Sequence, residues 1–145
     1  MKILAVDPGP TPGLATWDTD EQLFYAWVAP GWMYGCEYIT QVDADSRPVF
    51  GTIVIESFAI GGSRRKSSNE TIEMIGVARW FALEWDIPFV EQPPGAQKFG
   101  SPAKLKKLGW YESTKAKGDH ARSATGHLLL YLVQQGLIDG TALLD

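Results

Sequence analysis

Ile3-Leu4-Ala5-Val6-Asp7-Pro8-Gly9 runs from an unbroken apolar stretch straight into an acid. The four apolar residues read as a buried strand, and Gly13-Leu14-Ala15-Thr16-Trp17 reads as a second strand close behind it. An acid at the end of a buried strand is expensive unless something compensates its charge. A divalent cation shared with other carboxylates would do so. Asp-Pro-Gly is also ordinary turn chemistry, and on this stretch alone the turn is the simpler reading.

Working outward, 145 residues make one domain, 1–145, with enough chain for a sizeable core. A composition of 45% hydrophobic and 21% charged residues is that of a folded globule. No apolar run approaches the ~20 residues that span a bilayer. The chain opens on a strand pattern where an export signal would place a basic then apolar segment, so a cytoplasmic protein is expected. The single cysteine, Cys36, excludes an internal disulfide and a thiolate metal cluster.

The net charge of −4 argues at first against a polyanionic partner, but its distribution argues for one. Between Lys98 and Lys117 six lysines face one acid, Glu112, and Arg64-Arg65-Lys66 form a second basic cluster. The rest of the chain is correspondingly acidic. One basic face and one acidic face suit phosphate binding.

The segment order fixes a fold class. Residues 2–7, 13–18 and 21–29 read as strands, the last two joined by a tight turn holding Asp20. Residues 31–42 admit a short helix after Pro30. Thr52-Ile53-Val54-Ile55 is a strand buried on both faces and again ends in an acid, Glu56. Ile72, Ile75, Val77, Ala78 and Ala82 give a helical stripe over 68–85, and Ile87-Pro88-Phe89-Val90 reads as a fifth strand ending near Glu91. Ser101-Pro102 opens a lysine-rich helix, and a last helix over 119–135 stops at Gly136. A hairpin followed by α/β crossovers predicts a mixed sheet flanked by helices.

Asp7 and Glu56 share a position, the C-terminal end of a buried strand, where open α/β sheets bind ligands. Adjacent parallel strands would bring them within ~4.8 Å of backbone spacing, close enough to share an ion. The third candidate is Asp119, at the start of the last helix and one turn before Ser123. An N-cap role explains it equally well, although no Glu or Gln follows to complete a capping box. Gly126 is expected to let this helix approach the sheet, with Ala121, Ala124, Leu128 and Leu132 in the core. His120 could donate to a ligand carboxylate or act as a general acid, although a lone histidine near a helix start is more often structural, and His127 reads as a packing or surface residue.

Three motifs now stand in order: Ala5-Val6-Asp7-Pro8-Gly9, Ile53-Val54-Ile55-Glu56 with Phe58 beyond it, and Asp119-His120-Ala121-Arg122-Ser123-Ala124. Together they span nearly the whole chain and resemble the RuvC-type Holliday junction resolvases of the ribonuclease H-like superfamily, most closely the bacteriophage branch. The resemblance implies an α/β, ribonuclease H-like mixed five-stranded sheet: three antiparallel N-terminal strands, then parallel ones, flanked by helices. It also implies a homodimeric, metal-dependent endonuclease that nicks branched DNA, in the host bacterial cytoplasm if phage-encoded. Asp7, Glu56 and Asp119 would be the metal ligands, with His120 beside them as a catalytic residue. Two Mg²⁺ ions ~3.5–4 Å apart would serve phosphodiester hydrolysis, with Mn²⁺ able to substitute. Arg64, Arg65 and Lys66 would track one DNA strand, while Lys98, Lys104, Lys106 and Lys107 would neutralise phosphates. Phe58 matches an aromatic that stacks at the junction, and equally an ordinary core residue. Helix 68–85, with Ile72, Ile75 and Trp80, would form the dimer interface.

One departure matters. Where relatives carry an aspartate three residues after the histidine or acid of the last helix, this chain has Ser123. Asp119, one turn earlier on the same face, is the candidate for that missing ligand, and three acids in place of four leave the second ion open. Two other readings therefore stay open: a nuclease for flaps and forks without junction selectivity, and a nucleic-acid-binding module that has lost catalysis. An actin-like phosphotransferase also begins with strand, Asp and Gly, but needs a second large domain.

Overall fold

In the computed structural model, which describes residues 1–57 and 68–144, the opening apolar stretch is the central strand of a five-stranded sheet. The strands are β1 (Lys2–Asp7), β2 (Gly13–Asp18), β3 (Leu23–Val28), β4 (Phe50–Glu56) and β5 (Phe89–Gln92), in the order β3-β2-β1-β4-β5. The β1–β2 and β2–β3 pairs are antiparallel, and the β1–β4 and β4–β5 pairs are parallel. Ile3 to Val6 and Ile53 to Ile55 are fully buried because helices cover both faces, so neither strand alternates with polar residues.

Helices α1 (Trp32–Ile39) and α2 (Asn69–Trp85) lie between strands, and a 3-10 turn (Pro94–Phe99), α3 (Pro102–Lys107), α4 (Tyr111–Lys117) and α5 (Asp119–Gln134) follow β5. One face of the sheet packs Leu4, Val6, Leu14, Ile53 and Ile55 with Ile39, Met74 and Phe81 of α1 and α2. The other packs Ile3, Ala5, Ala15 and Val54 with Ala121, Ala124, Leu128 and Leu132 of α5, the stripe expected for the core. Trp110 closes this second layer by stacking on Phe24 with ring centroids 4.2 Å apart. Among the described residues no helix is long and apolar enough to cross a membrane.

Several boundaries move for local reasons. β3 begins at Leu23 and not at Glu21, because the Asp18 carboxylate accepts from the backbone N–H groups of Asp20 and Glu21 and Gln22 turns at φ 54°. Ile87 lies in the turn that closes α2, its N–H donating to the Ala82 carbonyl, so β5 starts at Phe89 and reaches Gln92. The lysine-rich segment is two helices, divided at Gly109 with φ +73°. Ser101 and Ser68 cap their helices, accepting from Lys104 and Thr71. Of the three residues offered for a dimer contact, Ile75 is buried in the core with Ala78 and Ala82 of its apolar stripe, whereas Ile72 and Trp80 are exposed.

Candidate active site

Strand register builds the site. Val6 pairs with Ile55, so the next step sets Asp7 beside Glu56, and Glu56 itself pairs with Gln92. Alternation then fixes the face. Ile3, Ala5 and Val54 point to the α5 layer, and two residues further on Asp7 and Glu56 point the same way. Three parallel strand ends thus carry a polar row, Asp7, Glu56 and Gln92, beneath α5.

Helix α5 answers with a stripe of its own. His120, Ser123 and His127 are spaced i, i+3 and i+7, which places them on one helical face. His120 Nδ1 donates to Asp7 Oδ2 at 3.1 Å, and the Ser123 hydroxyl lies near enough to favour the charged Asp7. His127 Nε2 donates to Glu56 Oε2 at 2.8 Å, and its Nδ1 lies 2.8 Å from Gln92 Oε1. His127 is completely buried and Gln92 is 4% exposed.

Glycines set the spacing between helix and sheet. A Cβ on Gly13, the register partner of Asp7, would sit 1.9 Å from the His120 carbonyl oxygen. The backbone of α5 therefore rests directly on β2, which is how its first turn reaches Asp7. Gly126 does not face the sheet as expected. Its absent Cβ would collide with the Gln97 carbonyl at 1.9 Å, and one on Gly100 would meet Gly126 Cα at 2.7 Å. This glycine pair clasps α5 to the 3-10 turn.

Burial raises the Asp7 pKa above the ordinary aspartate value, and the neighbouring Glu56 charge raises it further. The hydrogen bonds from His120 and Ser123 oppose the shift without cancelling it. Two carboxylates at adjacent strand ends repel each other and lack full compensation from protein donors. That donor set suits a hard divalent cation, for which one or two carboxylates completed by water and phosphate oxygens are sufficient. The described residues contain no cluster of three or more His, Cys, Asp and Glu side chains arranged to hold a metal.

Asp119 lies apart from this row. Its side chain is 92% exposed and accepts from Arg122 at 2.8 Å, and among the described residues no hydrogen bond or ion pair joins it to Asp7 or Glu56. At ~100° per residue it falls just beyond Ser123, at the margin of the inward stripe. Neither does it cap α5, whose N-cap is Gly118 with φ +95°. Asp119, Arg122 and Ser123 instead line a groove of ≈ 380 Å³ with Gln97, Lys98, Gly100, Ser101 and Pro102. Lys98 thus shares a groove with Ser123, which contacts Asp7.

The other lysines divide. Lys104 lies over the Phe99 ring at 3.6 Å and Lys106 over Tyr111 at 4.7 Å, while Lys107 donates to the Leu144 carbonyl at 2.7 Å and ties down the C-terminal segment. Phe58, Arg64, Arg65 and Lys66 lie outside the described residues. A larger hollow of ≈ 530 Å³, lined in part by Lys2, Tyr25, Trp27 and Tyr38, sits at the opposite end of β1 from Asp7. Volume alone therefore does not mark the site.

His127 and Gln92 were not expected here. The signal in the sequence is the polar stripe at 120, 123 and 127 on one face of the last helix, together with a glutamine closing the fifth strand.

No protein-family model matches the chain, and no curated protein matches it. Solved structures do. A Thermus thermophilus RuvC structure superposes with a TM-score of 0.59 at 16% identity, over 94% of this chain and 98% of that one. T. thermophilus RuvC in complex with Holliday junction substrate gives 0.55 at 18% identity, over 94% and 97%. The mixed sheet, its strand order and its flanking helices are those of the RuvC fold, a ribonuclease H-like architecture.

Proposed function

We propose that this chain is a divalent-metal-dependent endonuclease that hydrolyses phosphodiester bonds in four-way junctions and related branched DNA. The observation that carries the reading is the Asp7–Glu56 pair: two carboxylates in register on adjacent strands, on the α5 face, with the Asp7 pKa raised by burial and by its partner. Support for the substrate comes from the RuvC fold, one structural neighbour of which is in complex with a Holliday junction substrate.

Asp7 and Glu56 would hold the ion, Mg²⁺ by preference and Mn²⁺ by substitution, since both offer hard oxygen donors. When bound, such an ion supplies a nucleophilic water and neutralises charge at the scissile phosphate. His120, bonded to Asp7, is the third member in this reading, as a ligand or as the proton donor to the leaving oxygen. Asp119, the third ligand expected from the sequence, becomes a groove residue paired with Arg122. A second ion would then depend on ligands from the DNA.

The groove sets Lys98 beside the Asp119–Arg122 pair, so in this reading Lys98 meets the phosphate backbone next to the site. Lys104 and Lys106 are proposed to neutralise further phosphates, and Arg64, Arg65, Lys66 and Phe58 to contact another arm of the DNA. The exposed apolar residues of α2, Ile72, Trp80 and Leu83, are proposed to form a homodimer contact, which would set two sites against one junction.

The test compares wild type with Glu56→Gln on four-way, forked and linear DNA in Mg²⁺. Wild type should cut the four-way substrate in preference, and the variant should lose about 10²-fold or more, the scale of removing one charge-stabilising group from an active site. Equal cutting of forks would favour the less selective nuclease. Ser123 in place of an acid favours the non-catalytic module, and binding without cutting of any substrate would establish that module instead.

A further inference from the structure

His127 is fully buried, yet both of its ring nitrogens are engaged: Nε2 at 2.8 Å from Glu56 Oε2 and Nδ1 at 2.8 Å from Gln92 Oε1. The nuclease reading as stated uses neither His127 nor Gln92. An apolar residue at position 127 would have continued the buried surface of α5 at no polar cost.

The polarity has a definite direction. A carboxylate only accepts, so the ring must donate through Nε2–H to Glu56. A ring that donates through Nε2 accepts at Nδ1, so Gln92 fixes its plane from the far side by turning the amide NH2 group to that nitrogen. In that orientation the amide nitrogen, otherwise buried without a partner among the described residues, is matched. Burying polar groups in an apolar layer is costly even when they are paired, and the His127–Gln92 pair calls for a reason.

Glu56 supplies that reason. A glutamate at a strand end has three rotatable bonds and two equivalent oxygens. Ordering it from a free state would weaken ligand binding by the entropy lost. The bond from His127 occupies Oε2 and restrains the chain, leaving Oε1 as the ligating oxygen.

We propose that His127 and Gln92 are positioning residues that hold the Glu56 carboxylate in a ready-to-ligate orientation, a proposal that rests on Glu56 being a metal ligand. His120 on Asp7 and His127 on Glu56 then make parallel arrangements, one imidazole from α5 for each strand-end acid.

The experiment titrates Mn²⁺ alone into DNA-free protein, followed by electron paramagnetic resonance, for wild type, His127→Ala, His127→Gln, Gln92→Leu and Glu56→Gln. His127→Ala should weaken Mn²⁺ binding roughly 10–100-fold, the scale seen on removing groups that orient metal ligands. Cleavage at saturating metal should recover most of its rate. His127→Gln, whose amide can still donate to Glu56, should restore most of the affinity. Gln92→Leu, nearly the same size, should weaken binding in the same direction and keeps the test open if His127→Ala fails to fold. Folded His127→Ala or Gln92→Leu protein with wild-type Mn²⁺ affinity overturns the proposal, leaving the pair a packing feature. Glu56→Gln separates the two levels. If it too binds Mn²⁺ like wild type, or wild type binds none, the ligand assignment fails and the proposal falls with it.

Discussion

Asp7 holds its charge against both burial and Glu56, and a sign for the pH dependence follows. A raised folded-state pKa means that the folded protein binds the proton more readily than the unfolded chain does. The stability from Asp7 is complete below the ordinary aspartate value, about 3.9, and is lost as pH rises through the raised folded value. Thermal melts of metal-free wild type should therefore show a falling contribution across that window, which Asp7→Asn abolishes. Mg²⁺ should restore stability at neutral pH to wild type but not to the variant. Asp119 behaves differently. Exposed and, among the described residues, paired with Arg122, it should tolerate Asp119→Asn with a stability change within about 0.5 kcal/mol and cleavage within about twofold. Denaturant unfolding and single-turnover cleavage check both expectations. A large fall in rate with intact folding would return Asp119 to the ligand set.

At the scale of elements, the site depends on how closely α5 lies against its neighbours. Gly126 meets the Gln97 carbonyl where a Cβ would stand, and backbone cannot yield as a flexible side chain can. Gly126→Ala should cost about 1–3 kcal/mol, as overpacking does, and each kcal/mol lowers Tm by about 2–4 °C in a chain of this size. Calorimetry gives the number. Gly76, with nothing within 4 Å of its absent Cβ, is the control that should accept alanine without loss. The elements themselves were legible. Apolar runs ending in Asp7 and Glu56 located β1 and β4, and the Ser101-Pro102 pair located the start of α3. Less legible was which polar residues of α5 turn inward. Asp119 and Ser123 are one turn apart and look equivalent, but the inward stripe is centred on His120, Ser123 and His127, and that depends on how the helix is seated. The seating comes from Gly13 and the Gly100–Gly126 contact, long-range packing that local spacing does not express.

For the whole molecule, the asymmetry of charge would govern the proposed encounter with DNA. The chain is acidic overall, so the proposed binding rests on few cations, Lys98 of the groove among them, and its salt dependence should be modest and traceable to single residues. Lys98→Ala should weaken binding of four-way and linear DNA alike and reduce the slope of log K against log salt by about 1. Fluorescence anisotropy across a salt series measures this. Lys107→Ala should leave the slope unchanged and act on stability, since that lysine secures the C-terminal segment.

The glycine clasp has one more consequence. Side chains tolerate motion by changing rotamer, but where two backbones touch there is no rotamer to change. Helix α5 is held between β2 at Gly13 and the 3-10 turn at Gly100 and Gly126, like a beam resting on two fixed stops. Its vertical play is then set by the thickness of the polypeptide itself. The gap between the strand-end acids and the groove lysine becomes a property of the fold, and chemical variation elsewhere on the helix leaves that gauge unaltered.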